Sequence, residues 1–151
     1  MVRAERWATV VYLAICLVLL VVWLSLPHDG PATDRSTMSE AEFRAGWRAM
    51  AGPDEGRTPV RVAGDDIYLL ARQWTFAPDL VVAPNHRYRV HFLAEDVVHS
   101  AAIGGVELLL WPGKVETISL TTPGYGHLPL QCGEYCGLGH SRMSGSIEVA
   151  K

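Results

Sequence analysis

An all-β Greek-key sandwich carried on one N-terminal transmembrane helix is the fold class this sequence predicts. Three observations predict it. The first is a run of 20 residues, Trp7 to Leu26, with no charge, Gly or Pro. The second is a change of texture from about Val60. Beyond it, short runs rich in Val, Ile, Leu, Tyr and Phe alternate with turn signals. The third is how closely those runs follow one another, many within roughly 90 residues, which is the pattern of a small sandwich or barrel.

The apolar run "WATVVYLAICLVLLVVWLSL" comes first. At about 1.5 Å per residue it spans roughly 30 Å as a helix, the thickness of a bilayer core. Arg3 and Arg6 precede it, and no Lys or Arg follows until Arg35. The positive-inside rule therefore leaves the N-terminus in the cytoplasm and exports the rest, as in a single-pass protein of the inner membrane. Trp7 and Trp23 fall near the two ends, where aromatic belts form. A cleaved signal peptide is the competing reading. The run is longer than a usual signal core, and no small-x-small site follows directly, so a retained anchor is favoured. A buried soluble helix is disfavoured because the run is apolar on every face. Cys16, inside it, reads as a small apolar residue.

The stretch "PHDGPATDRSTMSE" reads as a linker. "SEAEFRAGWRAM" reads as a short helix opened by a capping box of Ser39 and Glu42, with Phe43, Trp47 and Met50 on one face. That face could pack on the domain or lie at the membrane surface. "AGPDEGRTPV" is a second loop. Strands follow at "VRVAG", "DIYLLARQWTF", "LVVAP", "YRVHFLAE", "HSAAIGG", "VELLL", "KVETISLT", "HLPLQC" and "SIEVA". Turn signals "APD", "APNH", "WPGK" and "TPGYG" separate many of them. The expected organisation is an anchor over 1–26, a linker with a short helix over 27–58 and a β-domain over 59–151. The net charge is −3, and Arg3, Glu5 and Arg6 contribute +1 of it, which leaves −4 outside the membrane. That balance disfavours nucleic acid and permits a basic protein partner.

The chemistry concentrates in "QCGEYCGLGHSRMSG", Gln131 to Gly145. Four readings compete there: a redox dithiol, a zinc knuckle, a one-copper site and a two-copper site. A Cys132–Cys136 disulfide is a further alternative in an oxidising compartment. The donors Cys132, Cys136, His140 and Met143 form a soft set that suits copper. A thioether is a poor zinc ligand. The cysteines are separated by three residues, not by the two of a redox C-x-x-C or a zinc knuckle. A blue-copper site uses two His, one Cys and an axial Met, so a second thiolate is surplus to one metal. Two thiolates can bridge two coppers, each of which then needs a histidine. His140 serves one. The other must come from His28, His86, His91, His99 or His127, and taken singly each reads more simply as an ordinary histidine.

"DVVHS", followed 33 residues after its histidine by "CGEYCGLGHSRM", resembles the binuclear copper-A domain of cytochrome c oxidase subunit II. The similarity runs over about 68–151 and includes "RQWTF", "YRVHF", "WPGK" and "TPGYG". A single anchor is similar to the shorter subunit II of some bacterial oxidases. The resemblance implies a cupredoxin-like sandwich in which Cys132 and Cys136 bridge both coppers. It implies that His99 and Met143 complete one copper, and that His140 and the backbone carbonyl of Glu134 complete the other. It implies two alternatives for the Glu134 side chain: a magnesium ligand at the boundary with subunit I, or a solvated interface carboxylate. Trp74 in "RQWTF" is implied as the point that takes electrons from cytochrome c, with a core tryptophan as the alternative. Trp111, before Pro112, is an alternative exposed aromatic, with a packed edge residue as the favoured reading. Many relatives carry an aromatic just after "HS", where this chain has Ala101 and Ala102.

The function so implied is electron transfer. Electrons come from cytochrome c or another small periplasmic donor and pass to haem in oxidase subunit I, where oxygen is reduced. Rival readings are a copper module of a nitric-oxide or nitrous-oxide reductase, a membrane-anchored copper carrier, and a metal-free quinol-oxidase subunit. The complete ligand set argues against the last two.

Overall fold

The computed structural model describes residues 2–26, 33–34, 38–53 and 57–150. His28 and much of the expected linker lie outside the described residues. The chain forms two compact units, Met1–Gly30 and Pro31–Lys151. The first is the helix α1, Val2–Ser25. Its segment Arg6–Ser25 has a mean hydropathy of 2.6 and none of it is buried, so it is long and apolar enough to cross a bilayer.

The second unit opens with β1 (Thr33–Asp34) and α2 (Glu40–Ala51). It continues through β2 (Val60–Arg61), β3 (Asp66–Arg72), β4 (Thr75–Ala77), β5 (Leu80–Val82) and β6 (Arg87–Ala94). It ends with β7 (His99–Ile103), β8 (Val106–Leu110), β9 (Val115–Thr121), β10 (Gly126–Gln131) and β11 (Ser144–Val149). One sheet has the order β1-β9-β6-β3-β4, the other β2-β5-β11-β10-β7-β8. Period-two alternation sends Leu69, Val90 and Phe92 from the first sheet, and Leu110, Leu130 and Ile147 from the second, into one shared core.

The first sheet is covered on its outer face too. Leu70 and Leu93 point away from the shared core and bury Phe43 of α2, together with Val115. Coverage on both faces explains why "YLLA" and "HFLA" read as almost continuous apolar runs. Phe43 meets Tyr68 edge-on at 5.6 Å, and the Trp47 indole N–H donates to the Ala77 carbonyl at 3.2 Å. Arg44 joins Glu40 of its own helix to Glu95 at the end of β6, at 2.7 and 2.9 Å. Ser39 and Glu42 close both halves of the capping box. The apolar face of α2, open from sequence between domain and membrane, packs on the domain.

Two features position the site. β10 and β11 pair along their whole length, from Gly126↔Val149 to Gln131↔Ser144. The connection 132–143 is therefore a loop whose ends are held together, and the Cys132 amide donates to the Met143 carbonyl at 3.1 Å to close its base. β7 flanks β10 through Leu130↔Ile103 and Gln131↔Ala102, which brings the start of β7 beside the start of that loop. The expected strand "DIYLLARQWTF" is broken. Gln73 and Trp74 form the turn between β3 and β4, so this stretch is a hairpin. Trp111, directly after β8, is 50% exposed, so it is the exposed aromatic of its two readings and not the packed edge residue.

Candidate metal centre

The loop brings two buried thiols together. Cys132 and Cys136 are unlinked, with Sγ atoms 3.8 Å apart, well beyond the roughly 2.05 Å of a disulfide. Donors gather on both sides of them. His99 Nδ1 lies 3.9 Å from Cys132 Sγ, and the Glu134 carbonyl oxygen lies 3.2 Å from the same sulfur. His140 Nδ1 lies 3.8 Å and Met143 Sδ 3.6 Å from Cys136 Sγ. His140 opens a short 3-10 turn, His140–Arg142, which Met143 ends. The turn points the imidazole and the thioether at the same sulfur.

The structure places the other histidines elsewhere. His86 is half-exposed against Asp65 at 2.8 Å. His91 is buried on the outer face of the first sheet between Thr117 and Asp66. His127 is exposed on β10 opposite Glu148. His99 is fully buried and opens β7. Its Nε2–H donates to Asp96 Oδ1 at 2.8 Å, which leaves the Nδ1 lone pair facing Cys132. Asp96 in turn accepts the Gln73 and Val97 amides, both at 2.7 Å. Partial burial pushes the Asp96 carboxyl up, but the Gln73 amide, the His99 ring and the Val97 amide outweigh it and hold the group below the usual carboxylate range.

The Gln73–Trp74 turn covers the loop from the other side. The Gln73 side-chain amide and the Trp74 indole N–H both donate to the Cys136 carbonyl, at 2.7 and 3.3 Å. Trp74 is 41% exposed, so it is a surface residue with one edge bonded to the loop, not a core tryptophan. Its indole lies flat against Gly139, where a Cβ would collide with the ring. The glycine lets the tryptophan close down on the loop between Cys136 and His140.

The donor set passes a simple test of fit. A metal bonded at about 2.0–2.3 Å to neighbouring donors holds them roughly 3.3–3.8 Å apart. Most of the sulfur and nitrogen separations here fall in or just above that range, and the set is two thiols, two imidazoles, a thioether and a carbonyl. Burial, reinforced by the neighbouring Cys132 thiol, pushes the Cys136 thiol up to about 11. A metal bound there has to displace that thiol's proton. Soft donors in this combination suit copper.

Sequence reasoning missed Asp96, Gln73 and Ser100. Asp96 carried a signal, since a carboxylate three residues before a ligand histidine can orient its ring. Gln73 and Ser100 carried none, because their partners are distant in the chain.

The likeness to known proteins agrees with this geometry. Residues 69–150 match the family "Cytochrome C oxidase subunit II, periplasmic domain". Cytochrome c oxidase subunit 2 of Thermus thermophilus is 31% identical over 86 residues, which are 55% of this chain and 64% of that protein. A second subunit 2 sequence from the same species is also 31% identical, over 51% of its length. The chain thus spans under two thirds of these curated relatives. A chain from a heme-copper terminal oxidase dimer has a TM-score of 0.59 at 22% identity, covering 95% of this chain and 99% of that one. Reduced rusticyanin has a TM-score of 0.51 at 16% identity, covering 75% and 97%. These two likenesses establish a cupredoxin-like fold. With its matched segment running through the buried thiol pair and every donor around it, the chain belongs to the cytochrome c oxidase subunit II family.

Proposed function

We propose that this chain is the electron-transfer subunit of a haem–copper terminal oxidase. It takes electrons from cytochrome c or another small periplasmic donor and delivers them to haem in subunit I, where oxygen is reduced. The observation that carries the reading is the pair of buried thiols 3.8 Å apart with an imidazole nitrogen beside each. In this reading His99, Cys132, Cys136, His140, Met143 and the Glu134 carbonyl hold two copper ions. The bound copper pair supplies a one-electron relay shared between two metals. The anchor occupies 1–26 with its N-terminus in the cytoplasm, 27–58 connects, and 59–151 is the copper domain on the periplasmic side.

The chain's own groups support the task in three ways. Asp96 fixes the His99 tautomer and ring plane, so the imidazole need not turn when charge changes. The paired strands and the Cys132–Met143 bond hold the loop, which keeps reorganisation small. Trp74 is half-exposed and bonded to the Cys136 carbonyl, which favours it as the receiving point for electrons. The Glu134 side chain is exposed while its carbonyl faces Cys132, so the two can serve different ends, and a magnesium ion at a subunit boundary is compatible with that split.

The test is to load the full chain with copper in detergent. Two coppers per chain with an electron-spin signal split by two copper nuclei support the reading. One copper with a blue mononuclear spectrum defeats it. Co-purification with a haem-bearing subunit separates an oxidase from a copper carrier.

A further inference from the structure

β7 touches the ligand loop with both of its faces. Alternation turns His99 toward the thiols and Ser100 to the opposite side of the sheet. There Ser100 is 3% exposed, although it lies on the sheet's outer face. Its hydroxyl is engaged twice. It accepts the Gly133 amide N–H at 2.7 Å and donates to Glu107 Oε1 at 2.7 Å. Gly133 is the residue between ligand Cys132 and Glu134, whose carbonyl faces the Cys132 sulfur.

The register explains how three distant residues meet. Ser100 lies opposite Leu109 and Ala102 opposite Glu107, so Ser100 and Glu107 are diagonal neighbours on one face. Gln131 lies opposite Ala102, so the chain after Gln131 runs on toward Ser100. Gly133 leaves room for the Glu107 carboxylate and the Ser100 hydroxyl to lie together against the loop backbone. A Cβ there would collide with Glu107 Oε1 and come within 3.0 Å of Ser100 Oγ.

We propose that Ser100 and Glu107 are positioning residues that clamp the Cys132–Glu134 corner through the Gly133 amide, holding Cys132 Sγ and the Glu134 carbonyl in ligand position before any metal arrives. The clamp deepens the copper reading above and rests on it for its purpose, though not for its geometry. The carboxylate strengthens the Ser100 hydroxyl as an acceptor, because a hydroxyl that donates to a charged group polarises toward its own donor. The amide so held is also unavailable to either thiolate. His99 and Ser100, adjacent in sequence, thereby fix the same loop from its two sides.

The test uses the full chain in detergent, with and without copper. In the copper-free protein, Ser100→Ala and Glu107→Ala should each speed hydrogen exchange of the Gly133 amide by about tenfold or more, as expected for a lost hydrogen bond at a closed corner. Glu107→Gln, whose side-chain carbonyl still accepts the hydroxyl, should restore slow exchange. With copper, the two alanine variants should shift the reduction potential and broaden the copper hyperfine pattern, and the Gln variant should not broaden it. If Ser100→Ala does not fold, the exposed Glu107 variants carry the comparison alone. Wild-type exchange and a wild-type spectrum in the alanine variants would overturn the clamp, and so would a Gln variant as perturbed as Glu107→Ala. The exchange measurement is made without metal, so a chain that proved to hold one copper would defeat the two-copper reading and leave the clamp standing or falling by itself.

Discussion

At the scale of single residues, His99 and Asp96 illustrate how a site is held. The imidazole is wholly buried, bonded to a carboxylate at one nitrogen and facing a thiol with the other. Partners of this kind fix ligand orientation, and their loss typically costs about 10–100-fold in metal affinity. Asp96→Ala should therefore weaken copper binding by roughly that factor, measured by competition with a chelator, while the near-ultraviolet circular dichroism stays folded. His99→Ala should remove the two-copper spectrum altogether. An unchanged spectrum in that variant would mean that His99 is not a ligand. The donor loop was legible because its donor groups sit within 12 residues of one another. His99 was not legible from spacing. It is brought in by the pairing of β7 with β10, and strand pairing across the chain leaves no local mark, so only the family resemblance singled it out.

At the scale of elements, α2 and the outer face of the first sheet act together. The capping box was readable, because Ser39 and Glu42 stand at the required interval ahead of an apolar stripe. Where the stripe would pack was not readable, since Leu70, Leu93 and Val115 come from three different strands. Ser39→Ala should cost about 1 kcal/mol in denaturant unfolding, and Phe43→Ala about 3–5 kcal/mol, since it empties a fully buried site. A helix that only rested on a membrane would show neither loss in detergent of constant composition. The same sheet carries an acid-sensitive contact. Asp66 is gripped at both oxygens by Arg89, at 2.7 Å each, and accepts the His91 ring N–H. The Arg89 contact holds its carboxyl below the usual range, against a smaller opposing push from burial and with help from His91. A depressed carboxyl stabilises the fold above its unfolded pKa of about 3.9, and that contribution is lost as pH falls through the lower folded value. Asp66→Asn should flatten the fall in stability below about pH 4 and leave the neutral-pH slope unchanged, as read from urea midpoints across pH.

At the scale of the whole molecule, the sandwich converts long-range pairing into a fixed loop. The strand runs were legible because turn signals bracket them. Their order was not, because β3 pairs with β6 in parallel and β5 with β11, joins that no local pattern encodes. The hairpin at Gln73–Trp74 was hidden for a related reason. No Gly or Pro marks the turn, which is held by Asp96 and the Cys136 carbonyl. If the loop holds copper as proposed, metal binding and proton release become one event. Burial raises the Cys136 thiol to about 11, so in the copper-free fold it keeps its proton throughout the neutral range. In the copper reading thiolate is the ligand, so copper must expel the Cys136 proton on binding. Apparent copper affinity should therefore rise with pH between about 6 and 8, by up to roughly tenfold per pH unit for each proton released. Acid should strip the metal before it unfolds the sandwich. In the copper reading the metal binds the folded loop in preference to the unfolded chain, so the loaded chain should melt higher than the copper-free chain, with the gap narrowing as pH falls. Melting curves at several pH values with matched copper check both trends. A gap independent of pH would mean that the thiols are not ligands.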